Sequence, residues 1–204
     1  MNEIPPTRWE QWGQSGYKDE FTRLIESGAD VEGEARLADT LVARGSRILD
    51  AGAGIGRIGG ALQARGHEVL AVEKDPELVE RAARLFPGLP MLTSDLLALT
   101  PASLAATGHD GGFDLIVLVG NVIVFAAEDT EPQLLASLRD LLADGGRILV
   151  GFHPVRMHGN ARDYPFDAFA ADVGAAGLAV QHRFGTYELH PPADDYVVAV
   201  LTRA

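Results

Sequence analysis

The sequence predicts an α/β fold: a seven-stranded, mostly parallel sheet with helices on both faces and one antiparallel edge hairpin. Short apolar runs alternate with longer amphipathic ones between Arg47 and Phe152, and strands that alternate with helices pair in parallel through right-handed crossovers. The runs are almost continuous in Val, Ile and Leu, which fits strands covered on both faces. The alternation then stops, because only a loop separates the strand-like runs Leu178–Gly185 and Asp195–Thr202.

Tyr17–Ser27 and Gly33–Arg44 have helical patterns ahead of the sheet. Arg47–Ala51 (RILDA) is the first strand and Gly56–Arg65 the helix after it. Glu68–Glu73 (EVLAVE) is the second strand, followed by the helix Pro76–Leu85. Pro76 falls at the first helical position, where a missing N–H costs nothing. Pro90–Ser94 and Phe113–Val119 are the third and fourth strands. Glu131–Leu142 carries leucines at helical spacing, and Arg147–Phe152 is the fifth strand. In the final hairpin Tyr196, Val198 and Val200 alternate with Val197, Ala199 and Leu201. No linker or repeat divides residues 1–204, so one domain is expected.

Composition narrows the function classes. A chain of 204 residues buries a sizeable core without staples. It has no cysteine, which excludes a disulfide framework, thiolate-bound zinc, iron–sulfur clusters and a cysteine nucleophile. No metal site is expected. Met1–Glu10 lacks the apolar core of a signal peptide, and the apolar stretch Leu115–Ala127 is broken by Gly120 and Asn121 and is too short for a bilayer. A cytoplasmic protein with no membrane partner is expected. The formal charge of −12 disfavours a phosphate-backbone partner, so nucleic acid is not expected.

Ile48–Gly60 reads ILDAGAGIGRIGG. A strand ends at Asp50, then Gly52, Gly54 and Gly56 form a turn, then a helix begins. Such a turn lets a ligand approach the backbone at the carboxyl end of the sheet. Two cofactor classes compete here. Gly54-x-Gly56-x-x-Gly59, with Glu73 downstream, matches the dinucleotide fingerprint of NAD(P)-binding oxidoreductases. Asp50-x-Gly52-x-Gly54-x-Gly56 instead places an acidic residue at the strand end, before the first glycine.

The second pattern resembles motif I of the class I S-adenosylmethionine-dependent methyltransferases, and the resemblance extends over about Gly33–Thr202. Glu73 ends the second strand 23 residues after Asp50, and AVEKDPELVERA, with Lys74, is similar to the family's second motif. In that family the acidic residue grips both ribose hydroxyls. Asp95 in TSDL follows 22 residues later; the resemblance implies that it accepts the adenine amino group while the Leu96 N–H serves the ring. LLADGGRILV resembles the family's entry into strand five. Arg57, Gly120 and Asn121 are implied as further cofactor contacts. The fold implied is the Rossmann-like methyltransferase fold, the cofactor S-adenosylmethionine, and the acceptor an unidentified small molecule. No Asn-Pro-Pro-Tyr type motif follows strand four, where the sequence is Gly120-Asn121-Val122; this argues further against a nucleic-acid substrate.

The acceptor side falls to the ends of strands four and five. Asn121 is a hydrogen-bonding candidate or a turn residue. His153, in GFHP, is the candidate general base; its other reading is a capping or surface histidine. Arg156 and His158 follow it, and Asp163, Tyr164 and Phe166 begin a segment that covers the pocket or anchors packing. Trp9, Trp12, Tyr17 and Phe21 crowd the N-terminus, and the resemblance implies that residues 1–32 form a helical lid. Arg36, in GEAR, either meets the cofactor carboxylate or pairs with Asp39. An oxidoreductase gives no role to Asp50 or Asp95, whereas a non-catalytic S-adenosylmethionine-binding protein would use both. Oligomeric state and acceptor atom are left open.

Overall fold

The computed structural model describes residues 4–12, 23, 27, 28, 30–157 and 159–204. Most of the helix expected over Tyr17–Ser27, together with Tyr17, Phe21 and His158, lies outside the described residues.

A seven-stranded sheet has the order β3-β2-β1-β4-β5-β7-β6. Its strands are β1 (Arg47–Ala51), β2 (Glu68–Glu73), β3 (Met91–Thr93), β4 (Phe113–Leu118), β5 (Leu142–Phe152), β6 (Leu178–Phe184) and β7 (Val197–Arg203). The first five pair in parallel, and β7 runs antiparallel to both β5 and β6. The described helices are α1 (Arg8–Trp12), α2 (Gly33–Thr40), α3 (Arg57–Ala64), α4 (Pro76–Leu85), α5 (Pro101–Ala105), α6 (Glu131–Asp140) and α7 (Phe166–Ala175).

The continuous apolar runs are explained by two cores, one on each sheet face. Leu49, Ile116 and Ile148 pack into one with Leu135, Phe152 and Phe169. Their neighbours Ile48, Leu115 and Leu149 pack into the other with Leu62 and Val198. Strand side chains alternate between faces, so a strand buried twice has no polar positions to spare.

Local signals explain the helix starts. Asp75 caps α4, accepting from the Glu77 N–H at 3.0 Å, with Pro76 in the first turn. Thr100 and Ser103 form a reciprocal capping box on α5, a helix the periodicity did not predict because it is only five residues long. The helix expected over Gly33–Arg44 stops at Thr40. Strand β5 starts earlier than Arg147, because Leu142 pairs with Phe113 before the register shifts to Arg147 opposite Leu115. Helix α7 was also missed; it buries Phe169 and Val173.

Candidate cofactor site

The chain leaves β1 through a left-handed turn, with φ of +81° at Gly52, +57° at Gly54 and +79° at Gly56. The Gly52 and Ala53 N–H groups donate to the Val72 carbonyl at 2.9 Å, which ties the turn to β2. A Cβ on Gly52 would lie 2.6 Å from both Val122 methyls, whereas one on Gly54 would meet nothing within 4 Å. The first glycine therefore lets the turn approach the segment after β4, and the second leaves open space.

Three carboxylates stand where β1, β2 and β3 end. Asp50 is 3% exposed, and its Oδ2 accepts the Gly59 N–H at 2.8 Å. Burial pushes its pKa up to about 7, against the Gly59 hydrogen bond and the charge of Arg57. Glu73 is also buried; its Oε2 accepts from Gly54 N–H at 2.8 Å, and its Oε1 from Lys74 N–H at 2.8 Å and Asp75 N–H at 2.9 Å. Burial raises its pKa, and these backbone donors oppose the rise. Asp95 Oδ1 accepts from Leu97 N–H at 2.8 Å, while its Oδ2 lies 2.8 Å from Lys74 Nζ.

Lys74 Nζ also donates to Glu10 Oε2, at 2.7 Å. Partial burial opposes the lysine charge, but its hydrogen bonds with Asp95 and Glu10 outweigh this and raise its pKa. Glu10 belongs to α1, which reaches across the site. At the other rim Arg8 donates to the fully buried Glu131 and to the Ala126 carbonyl, both at 2.9 Å. Arg162 Nη1 lies 3.0 Å from the same Glu131 oxygen. Trp12 stacks on Phe125 at 5.6 Å, and Trp9 meets the same ring edge-on at 5.5 Å.

Between the carboxylates and α1 lies a cavity of about 420 Å³. Of the residues expected from the sequence, Asp50, Gly52, Gly54, Arg57, Glu73, Lys74, Asp95, Leu96 and Gly120 line it together. Gly56 faces Leu89 and Ala82 of the neighbouring helical layer instead. Asn121 and His153 are also absent from the cavity wall. They line a small adjacent crevice with Val155 and Met157, and Phe125 borders both spaces. Asn121 has φ +73°; its Oδ1 accepts the His153 N–H at 2.8 Å and lies 3.1 Å from His153 Nδ1. The His153 ring meets Tyr196 edge-on at 4.7 Å.

The remaining candidates from the sequence fall outside the cavity or choose between the roles open to them. Arg36 pairs with Asp30 at 2.7 Å, neither with Asp39 nor with the cavity. Arg57 takes the inner position, held by two bonds to Glu34 and one to the Val31 carbonyl. The Arg156 N–H donates to Asp163 at 2.8 Å. Tyr164 is fully buried against Phe152 and Phe169 and donates its hydroxyl to Asp172 at 2.6 Å; it is a packing anchor, as Phe166 is beside Phe169. Thr7, Glu10, Val122, Phe125, Thr130 and Leu134 also line the cavity, and no sequence motif marks them. The aromatic density at the N-terminus was the one signal that pointed towards α1.

The residues present fit a ligand with an ammonium, a ribose and an adenine. Asp50 is a buried carboxyl group in want of a cation, Glu73 keeps acceptor capacity on Oε2, and Gly54 leaves open space beside it. Comparison with known proteins agrees. Residues 49–148 match the family model described as a methyltransferase domain. A TehB-like SAM-dependent methyltransferase from Corynebacterium glutamicum shares 35% identity and a TM-score of 0.79, over 92% of this chain and 96% of that one. The CcbJ methyltransferase from Streptomyces caelestis matches at 17% identity and TM-score 0.72, over 92% and 98% of the two chains. The glycopeptide N-methyltransferase MtfA, solved with S-adenosylmethionine, matches at 15% identity and TM-score 0.65, over 86% and 96%. At these identities the last two comparisons show the fold alone. No curated protein sequence matches the chain.

The chain belongs to the class I S-adenosylmethionine-dependent methyltransferases. It is a methyl-transferring enzyme, and S-adenosylmethionine is its cofactor.

Proposed function

We propose that the enzyme methylates a small cytoplasmic molecule rather than a nucleic acid, and that it does so chiefly by holding the reactants in line. The observation that carries this reading is the 420 Å³ cavity, in which Asp50, Glu73 and Asp95 stand in strand order beneath α1. The formal charge of −12 supports it, since such a surface repels a phosphate backbone. Among the described residues no helix is long and apolar enough to cross a membrane.

When bound, the cofactor supplies a methyl group on a positively charged sulfur, already activated for in-line displacement. The work left to the protein is orientation and exclusion of water. Asp50 would face the ammonium, with Arg57, fixed by Glu34, at the same end of the site. Glu73 would take the ribose, and Asp95 with the Leu96 N–H would take the adenine. Gly54 and Gly120, with nothing within 4 Å of where a Cβ would stand, would leave room for the cofactor. The lid segment, with Trp9 and Trp12 on Phe125, keeps water out.

The acceptor enters from the side of Asn121 and His153, across Phe125. Where the acceptor carries a removable proton, the His153 imidazole would take it, and the cofactor, when bound, would supply the methyl group. The test is incubation of the enzyme and S-adenosylmethionine with fractionated metabolite pools, followed by mass spectrometry. One metabolite gaining a methyl group, with equimolar S-adenosylhomocysteine, supports the reading. Methylation confined to RNA or DNA would sink it.

A further inference from the structure

The turn after β4 bears on the chemistry at the end of β5. Asn121 is 9% exposed and has a φ of +73°, a left-handed conformation that asparagine tolerates better than most residues. Its own N–H donates to the Gly151 carbonyl at 3.1 Å, and its carbonyl accepts the Val124 N–H at 3.2 Å. The residue is thus held by β5 on one side and by the turn Val122–Phe125 on the other. The His153 N–H donates to its side chain at 2.8 Å. A backbone N–H can only donate, so the atom it meets is the amide oxygen, and the orientation of the amide is settled.

The same oxygen lies 3.1 Å from His153 Nδ1. Two lone pairs facing each other at that distance repel, so Nδ1 must carry a hydrogen. We propose that Asn121 is the positioning residue that fixes the His153 tautomer, with the hydrogen on Nδ1 and the lone pair of the neutral ring on Nε2. Nε2 is then the atom that takes the acceptor's proton: the bond from that hydrogen to the acceptor breaks, the Nε2–H bond forms, and the Nδ1–H stays on Asn121 throughout. Being uncharged, the amide orders the ring without a carboxylate's attraction for the imidazolium.

A second contact on the ring supports the same assignment. Tyr196 meets the imidazole edge-on at 4.7 Å. It is the cross-strand neighbour of His153, one pair beyond Phe152 and Val197 in the antiparallel ladder. The Tyr187 hydroxyl lies 3.0 Å from the Tyr196 hydroxyl. Both oxygens sit over Gly151, where a Cβ would collide with that of Tyr187. Gly151 therefore makes room for the phenol pair that backs the imidazole, while Asn121 holds its nitrogen. Two independent contacts leave the ring one plane and one tautomer. The catalytic use of Nε2 rests on the placement of His153 at the acceptor side proposed above.

The experiment is nuclear magnetic resonance of the full chain carrying nitrogen-15-labelled histidine, in which protonated and bare ring nitrogens resonate far apart. Of the six histidines, His153 is the one whose signals disappear in His153→Gln. Spectra are taken after the ring has titrated to its neutral form. Wild type should show the hydrogen on Nδ1 and a bare Nε2. Asn121→Asp keeps an acceptor oxygen and should keep that tautomer. Asn121→Gly takes up the left-handed turn without strain; it should lose the fixed tautomer and show the mixture of a free imidazole. Thermal unfolding checks that both variants are folded. A hydrogen on Nε2 in the wild type would overturn the proposal, and so would an unchanged tautomer in Asn121→Gly. The wild-type spectrum alone decides the first point, so the proposal stays open to refutation even where a variant unfolds. The spectra need no acceptor. Methylation confined to RNA or DNA would therefore sink the proposed function and leave the tautomer standing, a distinguishable result.

Discussion

Arg57 and Glu34 are joined by two parallel hydrogen bonds, 2.8 and 2.7 Å long, with both side chains mostly buried. The pair ties α2 to the first turn of α3, beside the glycine turn. A fork-to-fork contact fixes the guanidinium plane as well as its charge. Glu34→Ala should therefore destabilise the fold by about 1–3 kcal/mol, the cost of leaving a charged donor group poorly partnered. It should also weaken S-adenosylhomocysteine binding. Denaturant melts and calorimetry check the two effects separately, and a variant with wild-type affinity would remove Arg57 from the ligand's surroundings.

Glu73 gathers three backbone N–H groups at the end of β2. Glu73→Ala should cost roughly 1.5–3 kcal/mol of cofactor affinity and loosen the Gly54 turn. Asp95→Ala should cost less where the Leu96 N–H still meets the ring. Calorimetry on folded protein ranks the two, and the reverse order would exchange their importance.

Asp50 gives the site a pH dependence with a definite sign. Its folded pKa, about 7, lies above the ordinary value of 3.8. A carboxyl group raised in this way favours folding below the ordinary value and loses that contribution as pH rises through about 7. For the cofactor the sign is opposite, since its ammonium requires the carboxylate. Affinity should rise with pH up to about 7 and fall again above roughly 8, where the ligand's own α-amino group loses its proton. In Asp50→Asn the rising limb should vanish. Calorimetry in buffers of different ionisation enthalpy should detect a proton released on binding to the wild type at pH 6.

Gly52 and Gly54 should fail in different ways. Alanine at 52 combines φ +81° with a Cβ 2.6 Å from the Val122 methyls, so a loss of about 1–3 kcal/mol in stability is expected. Alanine at 54 meets no protein atom within 4 Å; its larger effect should be on ligand affinity, by filling space at the cavity wall. Melting curves and titrations of both variants decide this.

His153 stands outside the cofactor cavity, so His153→Ala should leave S-adenosylhomocysteine affinity within about twofold, as for a site without shared partners. Turnover should drop. If His153→Gln has the wild-type rate, the histidine only packs on Asn121 and Tyr196.

The strands and the carboxylates at their ends were legible because both follow from local pattern. Buried parallel strands are short and apolar, and residue spacing along βα units repeats. Arg36 and Arg57 were harder to separate: both are cations near the turn, and the choice between them is made by Asp30 and Glu34 through contacts that periodicity does not encode. Glu10 escaped for a related reason, since its partner Lys74 is 64 residues away. The N-terminal aromatics marked α1 as a covering element without specifying which polar residue it would carry. Short α5 and the pocketless α7 were missed because five residues, or a helix rich in alanine and phenylalanine, give no clear polar–apolar rhythm.

The strand order has a consequence for biosynthesis. β7 lies between β5 and β6, and is β6's sole sheet neighbour among the described residues. A ribosome extends the chain from N- to C-terminus, so β6 emerges before the strand that must separate it from β5. The nascent sheet therefore holds an exposed apolar edge until translation has passed Arg203, whose guanidinium then docks on the carbonyls of Arg139, Leu142 and Ala143. A chain cut short between Phe184 and Val197 would display that edge to any chaperone or sticky neighbour.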